Sequence, residues 1–254
     1  MLTYGASYLK KASDILGRIR DEQGDNIAKA ADVMAKAIAN GGLVHVFGSG
    51  HSVIPALDIF PRYGSFPGFH PLLDPRLMWF NVLGPGGVCE LLWLERQEGY
   101  ISVFLSNFKL LDKDVLLVFS HGGLNAAPVE AALEAKRLGL TVVAVTSLEN
   151  HRRAVATHSS GKKLADVADI VIDNCVPPED ALVEIEGVPE KVAAGSTLAV
   201  VVISMCLLAE IAGRLNEKGV QLPIFVSPNV RGFPPDHNQK VFAEYEKCLE
   251  RRWK

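Results

Sequence analysis

Apolar positions along this chain follow two periods. From Tyr4 to Ala39 apolar or small residues recur every three or four positions (Leu9, Ala12, Ile15, Leu16, Ile19, then Ile27, Ala30, Val33, Met34, Ala37, Ile38), which predicts helices broken at Gly24 and stopped by Asn40-Gly41-Gly42. Leu43–Phe47, Val115–Phe119 and Thr141–Thr146 are instead short, uninterrupted apolar runs, the pattern of parallel strands covered on both faces. Ile170–Asp173 and Ile224–Ser227 read as a fourth and a fifth strand. Helical spacing returns in Val53–Phe60, Glu90–Asn107, Ala126–Leu138 and Val192–Leu215, and a polar helix, His237–Arg252, comes last. Strands alternating with helices predict an α/β fold, a doubly wound five-stranded parallel sheet with right-handed crossovers, N-terminal helices and a C-terminal helix. Pro61–Pro75, rich in Pro, Gly and aromatics, and the turn-forming Leu83–Gly87 read as a lid or pocket wall. No linker or low-complexity tract divides the chain. The expected arrangement is one domain over residues 1–254, with a helical extension to about residue 40 and a tail from about residue 228.

Two of the strand runs end alike. Leu43–Phe47 passes into Gly48-Ser49-Gly50-His51-Ser52, and Val115–Phe119 into Ser120-His121-Gly122-Gly123-Leu124-Asn125. A strand that feeds a helix through small residues leaves the first helical N–H groups unpaired and clustered, which suits an anion such as phosphate. Ser49 and Ser52 add hydroxyl donors. A dinucleotide loop would need Gly at position 53, where Val stands.

Composition narrows the partners. A net charge of -3 with scattered Lys and Arg gives no footprint for nucleic acid. The four cysteines, Cys89, Cys175, Cys206 and Cys248, form no CxxC pair and read as reduced thiols. Met1–Lys10 lacks the basic-then-apolar order of a signal peptide, and Val192–Ala212 is interrupted by Gly195, Ser196, Thr197 and Ser204, so it reads as a buried helix. The expectation is a cytoplasmic protein with no membrane and no nucleic-acid partner. Among seven histidines no HxH, HxxE or HxxxH grouping occurs, so no metal and no cofactor is expected, although His51 and His121 stand at matching loop positions. His45, inside an apolar strand, reads as a core histidine; His151 and His158 read as surface residues.

Three segments carry a family resemblance: Phe47–Ser52, Phe119–Asn125, and Gly195-Ser196-Thr197 at the start of the long helix. In their order and spacing, from about Asp25 to Leu215, they resemble the SIS (sugar isomerase) fold. The Pro-rich insert, Asp180–Gly187 and Pro228–Asn238 are similar to a group of stand-alone SIS proteins often labelled sugar isomerases. One departure is visible: such proteins typically show Ser-x-Ser-Gly-x-Ser/Thr after the second strand, and here Gly122 and Asn125 replace two of the hydroxyls.

The resemblance implies a phosphorylated sugar as ligand and a homo-oligomer, dimer or tetramer, with sites near subunit interfaces. It implies ligand contacts from Gly48, Ser49, Gly50, His51, Ser52, Ser120, His121, Gly122, Gly123, Asn125, Ser196 and Thr197. Aldose–ketose isomerisation through an enediol requires a base and a second acid/base group, for which a carboxylate and a histidine are suited. Relatives with amino-sugar phosphate substrates place a Glu just before the Ser-Thr helix start. Glu190 falls there within one residue, with Glu184 and Glu186 in the same segment. His51, His121 and His237 are the histidine candidates, and Lys191 and Arg231 add positive charge. The alternatives are a non-catalytic phosphosugar sensor and a sugar-phosphate lyase acting on an ether.

Overall fold

The computed structural model describes residues 3–252, so the outermost residues of the expected domain span, 1–2 and 253–254, lie outside the described residues. Five parallel strands form the sheet: β1 (Val44–Gly48), β2 (Phe69–Pro71), β3 (Val115–Phe119), β4 (Thr141–Thr146) and β5 (Ile170–Asp173), in the order β2-β1-β3-β4-β5. Val44, Val46, Leu117, Phe119, Val143 and Val145 pack on one side, beneath helices α1 (Tyr4–Glu22), α2 (Gly24–Ala39), α3 (Ile54–Ile59) and α9 (Ser196–Glu217). Phe47, Leu116, Val118, Val142 and Ala144 pack on the other, with α5 (Tyr100–Leu105), α6 (Ala126–Arg137) and α8 (Leu164–Val167). Alternating residues of one strand thus enter opposite cores, which is why β1 and β3 are buried throughout and, His45 apart, apolar.

The predicted fifth strand is a correction. Ile224–Ser227 does not join the sheet; the fifth strand is β2, inside the Pro-rich insert, paired with the free edge of β1 from Val44↔Phe69 to Val46↔Pro71. Phe225 instead exchanges backbone hydrogen bonds with Gly64 and Ser65, and Asn238 holds both backbone groups of Val226. Pro71 ends β2, which is short enough to escape a pattern search and can carry Pro because it is an edge strand.

Two helical expectations also shift. Glu90–Asn107 is divided into α4 (Val88–Leu94) and α5, with Gly99 at φ +87 and its N–H donated to Glu130. Residues 192–194 belong to β7 (Val192–Ala194), antiparallel to β6 (Ala181–Val183), so the long helix starts at Ser196. α9 is long and apolar enough to cross a membrane by length and composition. It lies against α2 and α3, with Ala199, Ile203, Leu207 and Ile211 in the core. Helix α7 (Leu148–Arg153) and the C-terminal α10 (His237–Glu250) complete the chain.

Candidate active site

Ligand crevices in parallel sheets lie at the carboxyl ends of the strands, where crossovers leave in opposite directions. Here β1 is followed by Ser49–Ser52 and its neighbour β3 by Ser120–Asn125, and the two loops face one cavity of about 290 Å³. At Gly48 a Cβ would lie 2.0 Å from the Ser52 carbonyl oxygen, so the chain turns there only without a side chain. Gly50 (φ +58) and Gly123 (φ +63) supply the two left-handed positions of these loops. The carbonyls of His121 and Gly122 are taken up by Ser147 N–H, Thr146 Oγ1 and Asn150 Nδ2. The amides of Gly50, His51, Gly122 and Asn125 have no acceptor among the described residues. They make up a double set of backbone donors at adjacent strand tips.

Ser49, Gly50, His51, Ser52, Ser120, His121, Gly122, Asn125 and Ser196 line the cavity. Gly48, Gly123 and Thr197 do not line it. Trp79, Val88, Leu91 and Leu92 make an apolar wall, with the His51 ring 4.5 Å from the Trp79 ring. Among the described residues no Lys or Arg lines the cavity.

Two carboxylates that pattern reading did not single out face it. Glu95, 7% exposed, lies in the turn after α4 and receives a hydrogen bond from Ser49 Oγ at 2.9 Å. Burial pushes its carboxyl up, against the smaller pull of the Ser49 hydroxyl. Asp180, at φ +64, caps α9: Oδ1 accepts from Gly195 N–H (3.1 Å) and Ser196 N–H (2.7 Å), and Oδ2 from Ser196 Oγ (2.8 Å). The α9 N-terminus is therefore already occupied by an anion of the chain itself. In the sequence Glu95 stood inside a stretch read as one helix, and its only signal was the Gly99 break four residues on.

His121 is held on both ring nitrogens. Asn174 Oδ1 accepts from Val176 N–H, which turns Asn174 Nδ2 toward His121 Nδ1 (3.1 Å), and His121 Nε2 faces the Pro178 carbonyl at 3.3 Å. A carbonyl only accepts, so the proton resides on Nε2.

The remaining candidates are not brought to this cavity. Glu184, with its side chain 75% exposed, and Glu190 belong to the β6–β7 hairpin and face solvent, because Val183 and not its acidic neighbours turns into the core. Lys191 pairs with Glu179 and Glu184. His237 starts α10 and is bound through Nε2 to the Ile224 carbonyl at 2.8 Å, away from the loops; Arg231 is exposed. Among the described residues no group of three His, Cys, Asp or Glu is arranged to hold a metal ion.

A parallel sheet flanked by helices, with one cavity between the loops at two neighbouring strand tips, defines an α/β protein whose crevice lies at the carboxyl end of its sheet. The SIS domain profile matches residues 7–147, and the chain belongs to the SIS domain family. A UPF0309 protein of Caldanaerobacter subterraneus subsp. tengcongensis is 37% identical over 245 residues, 95% of this chain and 97% of that protein. A UPF0309 protein of Oceanobacillus iheyensis is 35% identical over 245 residues, 96% and 98% of the two chains. Among solved structures, a phosphoheptose isomerase from Neisseria gonorrhoeae superposes with a TM-score of 0.56 at 15% identity, over 82% of this chain and 96% of that one, a likeness of fold.

Proposed function

We propose that this protein binds a sugar phosphate at the β1 and β3 tips and interconverts its aldose and ketose forms, with Glu95 as the base. The observation that carries the reading is a buried carboxylate in the same cavity as two sets of unpaired backbone donors. The phosphate is anchored by the amides of Gly122 and Asn125 with the α6 N-terminus, and Ser52 and the Asn125 amide group take sugar oxygens. Because Gly122 offers no hydroxyl and no Lys or Arg lines the cavity among the described residues, this anchor depends on backbone donors. Glu95 as carboxylate removes the proton from the carbon beside the open-chain carbonyl. The electron pair forms the enediol, and the same carboxyl returns the proton to the neighbouring carbon. His51 moves the proton between the two oxygens, and the ring CH face rests on Trp79. No cofactor enters. Glu184, Glu190 and His237 are reached by this chemistry only if a second copy of the chain brings them to the cavity, as the homo-oligomer implied by the fold allows.

The test is a panel of phosphorylated aldoses and ketoses in deuterated water, read for isomer formation and for deuterium at the carbon that loses its proton. Glu95→Gln is expected to lower turnover by roughly a thousandfold or more while the sugar phosphate still raises the melting temperature. Melting shifts without exchange in the unsubstituted protein identify a binding module and end the isomerase reading.

A further inference from the structure

A second cavity, of about 210 Å³, lies at the opposite end of the sheet, lined by His45, His70, Asn107, Phe108, Lys109, Leu249 and Arg252. β1 connects the two ends, since His45 is its second residue and Ser49 follows its last. The floor of this cavity is a buried ionic group. Asp114 accepts from Leu43 N–H (2.9 Å), Leu111 N–H (2.7 Å) and Arg252 Nη2, and its Oδ2 lies 3.1 Å from His45 Nε2. Arg252 Nη2 stands 3.3 Å from the same His45 nitrogen but donates to Asp114, and the nearer carboxylate only accepts, so the His45 proton is on Nε2 and Nδ1 is left with a lone pair. That Nδ1 has no donor among the described residues, and Arg252 Nη1 has no acceptor. Both side chains are more than nine-tenths buried.

An acceptor and a charged donor, both buried and both unpaired, are unfavourable as they stand and favourable once a ligand pairs them. The complementary ligand presents an acceptor to Arg252 and a donor to His45. Asp114 neutralises one positive charge, so Lys109 at the exposed mouth leaves the cavity attractive to a single negative charge. Phe108 and Leu249 supply an apolar wall.

We propose that this cavity binds a small hydroxy acid. Its carboxylate pairs with Arg252 Nη1 and Lys109, its hydroxyl donates to His45 Nδ1, and its short hydrocarbon body rests on Phe108 and Leu249. A plain carboxylic acid lacks the donor, and inorganic phosphate lacks the hydrocarbon body.

The experiment uses the full chain labelled with ¹⁵N in histidine and titrated with 2-hydroxybutyrate, butyrate and inorganic phosphate. The hydroxy acid is expected to move the His45 ring nitrogens, leave His51 and His121 in place, and bind about tenfold more tightly than butyrate, the difference of one hydrogen bond. Lys109→Ala, at an exposed position with no part in the ionic floor, is expected to weaken binding several-fold. Arg252→Lys, which keeps the charge and loses the fork, is expected to weaken it at least tenfold. The proposal is overturned if no probe moves the His45 signals, if only His51 and His121 respond, if butyrate binds as well as its hydroxylated form, or if phosphate alone binds.

Discussion

At the scale of single residues the candidate site rests on Ser49 and Glu95. The Ser49 hydroxyl donates to Glu95 Oε2 and so favours the ionised carboxyl, while burial opposes it and the net shift is upward. A base works only when deprotonated, so activity is expected to fall toward acid along a limb centred above the ordinary glutamate value of about 4.3. Removing the hydroxyl in Ser49→Ala takes away the interaction that lowers this value. The acid limb of kcat/KM is then expected to move to higher pH by roughly half to one unit, as one hydrogen bond of about 1 kcal/mol implies. A limb that stays in place or moves down removes Glu95 from the role of base. The serine-rich loops were legible in the sequence because small residues after an apolar run mark a strand-to-helix turn. Glu95 was not, because nothing in the spacing of Glu90–Asn107 tells a carboxyl folded under a loop from one facing water. Glu184 and Glu190 stand a short way before Ser196 in the sequence, and sequence distance gives no information on the direction in which a two-stranded hairpin points.

At the scale of elements, Asp180 joins the hairpin to the long helix. Its carboxylate satisfies the Ser196 amide that α9 would otherwise leave open and shares the Gly195 amide with its own carbonyl, and Gly195 fits close beneath Leu182, where a Cβ would lie 2.9 Å from Cδ1. Asp180→Ala is expected to destabilise the protein by about 1 to 2 kcal/mol, measured by urea unfolding. It is also expected to open the α9 N-terminus to solutes, so that sulfate protects the variant more than the unsubstituted chain. Equal protection of both would mean that the freed amides do not reach the cavity. The elements that the sequence pattern identified, α1, α2, α3, α6, α9, α10, β1, β3, β4 and β5, are mostly those whose apolar period runs for five or more residues or whose ends carry Gly or Asn. The ones it missed are short: β2 and the β6–β7 hairpin have three residues per strand, and α7 and α8 six and four residues, too few for a period to show. Their pairing is set by tertiary contacts, β2 by the open edge of β1 and β7 by β6.

At the scale of the whole molecule the sheet has two polar ends with opposite tasks, ligand donors at the carboxyl end and a buried ionic anchor at the amino end. The anchor fastens α10 to the sheet: Arg252 reaches Asp114 and the Lys109 carbonyl, and His70 Nδ1 lies 2.6 Å from the Tyr245 hydroxyl. Burial would raise the Asp114 carboxyl, yet His45, Arg252 and the Leu111 and Leu43 amides outweigh it and hold it at about 2. Burial, with His45 and Arg252 nearby, pushes His70 down to about 4, and burial lowers His45 as well. The sign of the pH effect follows. Between about 4 and the unfolded histidine value of about 6.5, the unfolded chain binds a proton at position 70 that the folded chain does not. Stability therefore rises with pH across that window, is fully present above it, and is lost as pH falls toward 4. The expected contribution of His70 is on the order of 1 to 3 kcal/mol between pH 4 and 7, with His45 adding in the same direction. Urea unfolding of the full chain at pH 5.0, 5.5, 6.0 and 6.5 checks it: the unfolding free energy should climb through the series, and His70→Gln should flatten the climb whatever it does to stability at pH 7. The window from about 5 to 6.5 lies above the range in which Asp114 titrates, and the part of the slope that His70→Gln removes reports that histidine. A slope that the His70 substitution leaves unchanged would mean that α10 is held by its apolar contacts alone, with the ionic anchor contributing nothing to the pH dependence.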